Sequence, residues 1–363
     1  MNAARRAVCL LLALLGACVL LAGTAASDRG IGGTGSPAVG PEMSDRGIGG
    51  TGVVGVITSF GSIIVNGLEI AYVPSTPLTV DGVPDTGTAL RVGQLTAIVA
   101  SDDRGLHAVS IAVRHEVSGP VTSVSTDSGP SGQMVIVAGQ RVVVGNGTDG
   151  LRTLRPGDWV AVSGLRQPDG VIAASRIDQR MPGSVLVRGQ AMPSAGGWRI
   201  GDLGVRPPQG ISVTPGESIT ARGNIVNGIL SATTAGPDVL SSNPGAFFGS
   251  HVQRMVIETY VSAADGHIRL GHGLLTTAAP GITLQAGAHR AIVELERGAH
   301  GGFIATNLRG AGRPAVPHHA PVAPGRHGSL VRPHAAPNSF GAIPHRSHPW
   351  MNRHPGARRG GRR

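Results

Sequence analysis

Leu90-Arg91-Val92-Gly93-Gln94-Leu95-Thr96-Ala97-Ile98-Val99 reads as a glycine-closed turn feeding an apolar strand. The signature returns as Leu154-Arg155-Pro156-Gly157-Asp158-Trp159-Val160-Ala161-Val162 and as Val213-Thr214-Pro215-Gly216-Glu217-Ser218-Ile219-Thr220-Ala221. A worn fourth copy is Leu284-Gln285-Ala286-Gly287-Ala288-His289-Arg290-Ala291-Ile292-Val293. The marker glycines at 93, 157, 216 and 287 stand 64, 59 and 71 residues apart. Each is followed by a second landmark, a glycine leading an alanine-bearing strand, at Gly105, Gly170, Gly228 and Gly302. Hairpin signals precede the markers. The strongest is Ile63-Ile64-Val65-Asn66-Gly67-Leu68-Glu69-Ile70, because Asn-Gly supplies the two positive φ angles of a type I′ turn. Landmarks in the same order at a nearly constant period are an internal repeat.

Each unit holds about five short strands rich in Val, Ile and Thr, with turns every 8–12 residues, the spacing of an antiparallel barrel or sandwich. Five strands in roughly 65 residues suit an OB-like barrel, whose closure removes exposed edges. The expected fold is therefore all-β, with three to four tandem OB-like barrels; a β-sandwich is the alternative. The expected units are 53–116, 117–182, 183–250 and 251–310, the last two degenerate. The stretch from Pro74 to Ala89 is expected as a loop in place of a capping helix.

Composition supports this reading. The chain has 363 residues, of which 57 are Gly and 26 Pro, and this excess opposes long helices. All 31 basic residues are Arg, so Schiff-base chemistry on Lys is excluded. Both cysteines, Cys9 and Cys18, fall in the first 20 residues, leaving the body without a disulfide or Cys nucleophile.

Arg5 and Arg6 precede an apolar run from Ala7 to Ala22, the pattern of a secretory signal peptide over 1–26. Cleavage after Ala26 is one reading. Acylation of Cys18, in the lipobox-like Leu15-Gly16-Ala17-Cys18, is the other. The mature chain is expected in the periplasm, at the outer membrane or outside the cell, with no spanning helix left after signal removal. Residues 27–52 form a glycine-rich lead, expected to be flexible, in which SDRGIGGTG of 27–35 recurs at 44–52. Its formal G-x-G-x-x-G opens no helix, so it lacks the context of a dinucleotide site.

Composition shifts again at residue 311. Residues 311–363 carry nine Arg, seven His and nine Pro without one acidic residue, and are expected to be disordered. Residues 27–310 hold 20 Arg against 21 Asp and Glu, so the basic character belongs to the tail. Arg346, Arg353, Arg358, Arg359, Arg362 and Arg363 are the candidate polyanion-binding residues. The expected partner is an anionic envelope surface, lipopolysaccharide or acidic polysaccharide, with nucleic acid as second choice. His318 and His319 offer at most weak metal capture, so no metal site and no cofactor are expected.

The lead, together with Gly55-Val56-Ile57-Thr58-Ser59-Phe60-Gly61-Ser62-Ile63-Ile64-Val65-Asn66-Gly67, Val92-Gly93-Gln94 and Asp169-Gly170-Val171-Ile172-Ala173, resembles a known group. These are exported bacterial proteins with a GIGGTG lead and tandem OB-like repeats of an uncharacterised domain family. The likeness covers roughly residues 44–180 and implies fold and export only.

Catalytic constellations are thin. Thr126-Asp127-Ser128-Gly129-Pro130, with His107 and His115 upstream, has the residue types of a serine nucleophile site, but the stretch also reads as an ordinary Gly/Pro/Ser turn. Glu294 and Glu296 share a strand face and are expected to be solvated. Trp159 is expected in packing rather than as a stacking platform for bases or sugars. No catalytic residue is expected, and the reading is a non-catalytic, envelope-associated structural or binding protein. Oligomeric state leaves no mark on the sequence.

Overall fold

Asn66 and Gly67 adopt φ of 56° and 76°, as a type I′ turn requires. The four marker glycines likewise take φ of 88°, 97°, 82° and 79° at positions 93, 157, 216 and 287; the first three close hydrogen-bonded turns and Gly287 lies in a bend. The computed structural model describes residues 50–129, 132–151, 153–271 and 273–311. Those residues form four successive barrels with little helix.

Barrel 1 comprises β1 (Gly50–Ser59), β2 (Ile63–Val65), β3 (Leu68–Ala71), β4 (Leu78–Val80), β5 (Val83–Asp85), β6 (Leu95–Asp102) and β7 (Leu106–Arg114). Barrel 2 comprises β8 (Val117–Gly129), β9 (Gly132–Val137), β10 (Gln140–Val144), β11 (Asp149–Gly150), β12 (Trp159–Arg166) and β13 (Ile172–Gln179). Barrel 3 comprises β14 (Val185–Gln190), β15 (Met192–Ser194), β16 (Gly197–Ile200), β17 (Leu203–Arg206), β18 (Ser218–Val226) and β19 (Ile229–Pro237). Two short helices, α1 (Val239–Ser242) and α2 (Pro244–Phe248), lead into barrel 4. Its strands are β20 (Val252–Ala264), β21 (His267–Leu270), β22 (Leu274–Ala278), β23 (His289–Arg297) and β24 (Phe303–Gly310).

In every barrel the last two long strands pair antiparallel, and the first of them returns to the opening strand: β6 to β1, β12 to β8, β18 to β14 and β23 to β20. The final strand lies parallel to the third of the circuit, as β3–β7, β10–β13, β17–β19 and β22–β24. In barrels 1, 2 and 4 the circuit closes as 1-2-3-5-4-1, the Greek-key barrel of OB-like folds, whereas in barrel 3 β14 pairs with β18 and with β8 of barrel 2, leaving the step to β15 open. The closing hairpins also share a register shift, between Val99 and Ala100, Ser163 and Gly164, Arg222 and Gly223, and Glu294 and Leu295. Such bulges bend the strand, as closing a small barrel requires. At Gly164 and Gly223 a Cβ would sit 2.3 and 2.0 Å from a carbonyl oxygen of the facing strand, so glycine is needed at those two bulges.

Barrels 2 and 3 share one apolar core, and barrel 1 has its own. Barrel 4 shares its core with the outer faces of β1 and β6 and with Leu240 and Phe248 of the helices. Strand β1 is therefore buried on both faces. Val53 and Ile57 enter the barrel 1 core while Val54 and Val56 enter that of barrel 4, which is why Val53-Val54-Gly55-Val56-Ile57 is apolar without alternation. Parallel pairing of Gly50–Val54 with β20 completes the join.

Several expectations need correction. The lead does not reach Gly52, because β1 starts at Gly50 and Gly50–Gly52 are held between β6 and β20. Phe248 packs so closely that a Cβ at Gly52 would lie 2.7 Å from its ring. The 74–89 stretch is no plain loop, since it carries the β4–β5 hairpin and a single 3-10 turn at Gly87–Ala89. The fourth landmark glycine is displaced by one: Gly301, with φ of 81°, holds the turn rather than Gly302.

Candidate functional site

Charged residues inside a β protein must be paired, because burying an isolated charge costs several kcal/mol or more. Such a cluster lies where the four barrels meet. Arg114 ends β7, and His115 and Glu116 link it to β8; all three are buried. Asp81 reaches them from the β4–β5 turn, where Asp81 and Gly82 take φ of 52° and 82°. Arg188 comes from β14, Arg222 from β18 and Asp238 from the end of β19 before α1.

Arg114 and Asp238 form a forked pair, with Nη1–Oδ1 at 3.1 Å and Nη2–Oδ2 at 2.7 Å. Ser241 Oγ donates to the same carboxylate at 2.8 Å. Asp81 Oδ1 accepts from the His115 backbone N at 2.9 Å and from Arg188 Nη1 at 3.0 Å, while Oδ2 lies 2.7 Å from His115 Nδ1. A carboxylate can only accept, so Nδ1 carries the proton of that bond. Arg188 also donates to the His115 carbonyl, and Arg222 to that of Asp81. Arg166 of β12 connects Glu116 (3.4 Å), Gln140 (3.2 Å) and the Gly170 carbonyl (2.8 Å). Nearby, Glu258 of β20 accepts from Val56 N at 3.1 Å and from Arg290 Nε at 2.9 Å, tying barrel 4 to barrel 1.

Burial by itself would raise the Asp81 carboxyl, but the His115 hydrogen bond and the charges of His115 and Arg188 outweigh it and hold Asp81 well below the usual carboxylate range. Burial likewise opposes ionisation of Asp238, and Arg114, through its charge and forked bonds, reverses the balance and lowers it. Arg114 is raised, because Asp238 and Glu116 more than compensate its burial. Arg188 is lowered, by burial and by the positive charge of Arg114.

None of the residues the sequence singled out for binding lies here. Cys18, His318, His319, Arg346, Arg353, Arg358, Arg359, Arg362 and Arg363 fall outside the described residues. His115 does face an acid, Asp81, as a hydrolytic triad would need. Ser128, however, sits opposite Gln133 near the far end of the β8–β9 hairpin, while His115 precedes β8, so the third member is not assembled. Of the stretch that reads as a turn, residues 126–129 belong to β8. Glu294 is half-buried and paired to Arg254 at 2.7 Å, a correction to its expected solvation, whereas Glu296 is exposed. Trp159 and Trp198 pack against the shared core of barrels 2 and 3, and Phe60 and Tyr72 against that of barrel 1. Phe303 is capped by the Arg297 guanidinium at 4.5 Å, and Phe247, 40% exposed, meets Phe248 edge to face. The described residues present no row of free aromatic faces on which bases could stack.

The junction itself escaped sequence reading. Its signal was Arg114-His115-Glu116, three ionisable residues between two apolar strands, and Asp81-Gly82 between Val80 and Val83.

No curated protein matches the chain. Among solved structures it is similar to drosophila Unr CSD456, with 12% identity, 74% of this chain and 98% of that chain covered, and a TM-score of 0.17. Residues 118–178, which run through barrel 2 from the start of β8 to the end of β13, match the family described as a domain of unknown function (DUF5666).

Proposed function

We propose that the protein is exported and non-catalytic, and that its four barrels form a rigid, charge-balanced body while the Arg-rich residues 311–363 bind an anionic envelope polymer. One observation carries this reading: where the charges go. Residues 50–311 hold 18 Arg and 18 Asp plus Glu, and the buried pairs Arg114–Asp238, Arg188–Asp81 and Arg166–Glu116 tie barrels 1, 2 and 3 together. Residues 311–363 hold nine Arg and no acid to neutralise them. A lipopolysaccharide or acidic polysaccharide offers the complementary charge, and Arg346, Arg353, Arg358, Arg359, Arg362 and Arg363 would meet it. Arg5 and Arg6 ahead of the apolar run support export, to a final N-terminus at Ser27 or at an acylated Cys18.

The experiment is retention on immobilised heparin and on lipopolysaccharide, for the full chain and for a chain ending at Ala311, at two salt concentrations. The full chain should be retained and should elute as salt rises, and the shortened chain should pass through. Equal retention of both chains would refute the reading. A log–log salt slope near 0.9 per phosphate contact on duplex DNA, with tighter binding there than to polysaccharide, would move the partner to nucleic acid.

A further inference from the structure

A cavity of about 100 Å³ lies against the charged junction, walled by all four barrels. Leu95, Leu165, Leu240 and Ile257 give it an apolar side, and Arg188 stands in its polar side with Glu116 and Asp238. Two observations make it more than a packing defect. Arg188 is only 5% exposed, and its Nε is buried with no hydrogen-bond partner in the structure. Arg188 Nη1 is already committed to Asp81 and His115, and the Nε N–H is a buried donor left unused on a cation. An unmet donor on a charged group is among the costlier features of a protein interior.

The second observation is charge. Arg188 has one carboxylate within ion-pair reach, Asp81 at 3.0 Å, and shares it with His115. Asp238 is taken by Arg114, Glu116 by Arg166 and Arg114, and Glu258, also in the cavity wall, by Arg290. Arg188 is therefore the least compensated of the cavity's cations, and it stands beside an apolar wall. The lowered pKa of Arg188 agrees with a cation that lacks full compensation.

We propose that the cavity binds a small monoanion with a short aliphatic body, a short-chain carboxylate, its carboxylate accepting from Arg188 Nε and its hydrocarbon lying against Leu95, Leu165 and Ile257. The volume, on the order of three waters at ~30 Å³ each, admits a chain of about two to four carbons. Sulfate or phosphate would bring more charge than the single under-compensated Arg188 calls for and would leave the apolar wall unused. A neutral alcohol or amide would fill the space without balancing the charge. The site would hold the barrels together, since its walls come from each of them.

The test is thermal unfolding of the full chain with sodium butyrate, against sodium chloride, sodium sulfate and butyramide at matched concentration and ionic strength. Butyrate at a tenfold excess over its Kd should raise Tm by about 3–5 °C over chloride, and butyramide should not. Arg188→Met should abolish the response. Because that variant can fail to fold, Leu165→Phe, which grows into the cavity, provides the second arm; it should fold and no longer respond to butyrate. No butyrate response in the wild type, an equal response to butyramide or sulfate, or a response that survives Leu165→Phe would each overturn the assignment. A crystal soaked in butyrate that shows only water beside Arg188 Nε would do the same.

Discussion

Replacing Asp238 by Asn tests whether the junction holds the barrels together. Asn keeps the size of Asp and can still accept one bond from Arg114, but its NH2 then faces the second guanidinium nitrogen, donor against donor. Arg114, whose side chain is 9% exposed, would keep its charge with Glu116, 3.9 Å away, as its nearest carboxylate. Removing one partner of a buried pair costs ~3–5 kcal/mol, because the other charge remains buried. Glu116 offsets part of that, which puts the expected loss near ~3 kcal/mol. At roughly 2–4 °C per kcal/mol for a body of this size, Tm should fall by about 6–12 °C. Urea unfolding followed by far-ultraviolet circular dichroism and by fluorescence, with Trp159 in barrel 2 and Trp198 in barrel 3 as probes, measures the change. Arg114→Met and the double variant complete a cycle. The double variant leaves no orphan charge, so its loss should be smaller than the sum of the single losses by about 1–3 kcal/mol. Additive losses, or a cost below ~1 kcal/mol for Asp238→Asn, would refute the view that this pair is a structural joint.

Two further outcomes follow from the same packing. Asp81 and Asp238 both titrate below their unfolded value of about 3.9, so the unfolded chain binds more protons than the folded one as pH falls past that value. Their stabilisation is therefore complete above about pH 5 and lost progressively from about pH 4 downward, and urea midpoints against pH should lose part of that acid slope in Asp81→Asn. A slope unchanged by the substitution would show that Asp81 is not linked to folding. Gly52→Ala should destabilise by about 1–3 kcal/mol, because the new methyl meets the buried Phe248 ring at 2.7 Å and α2 must shift to admit it; a midpoint within error of wild type would contradict the close approach.

Local rules made the barrels legible. Asn66-Gly67 and the glycines at 93, 157, 216 and 287 announce turns by backbone chemistry, and the Val- and Ile-rich runs between them announce strands. Even the bulges left a trace in Gly164 and Gly223, although nothing local says that a Cβ there would strike Ala173 or Ser231 across the hairpin. What sequence could not convey was non-local. The Asp81 carboxylate meets Arg188 across 107 positions, and Arg114 meets Asp238 across 124. Each looks like an exposed charge at a strand end until the barrels are assembled. Gly50–Gly52 misled for a related reason: a Gly-Thr-Gly stretch reads as lead, but at β1 the glycine admits Phe248 from a helix nearly 200 residues away.

The join between barrels 1 and 4 bears on how the whole behaves. Barrel 1 meets barrel 2 directly through the Arg114-His115-Glu116 link, yet its opening strand pairs with β20, the opening strand of barrel 4. Chain ends of the four-barrel series are thus sewn to each other by a parallel ladder, by Asn66 Nδ2 bonded to the carbonyls of Val54 (2.8 Å) and Val256 (3.2 Å), and by Glu258. At Gly55 a Cβ would fall 2.2 Å from Asn66 Oδ1, so the glycine is what lets that amide reach both strands. A linear string of barrels would open one unit at a time, because each would contact only its sequence neighbours. Closing the series makes the last barrel a neighbour of the first through the β1–β20 ladder, while the buried pairs Arg114–Asp238, Arg188–Asp81 and Arg166–Glu116 act on barrels 1, 2 and 3. Opening any of those three exposes unpaired charge in its neighbours. That coupling explains how units near the size limit of an independent core can persist together, and why the charges at their meeting point are placed inside, where a surface protein would leave them in water.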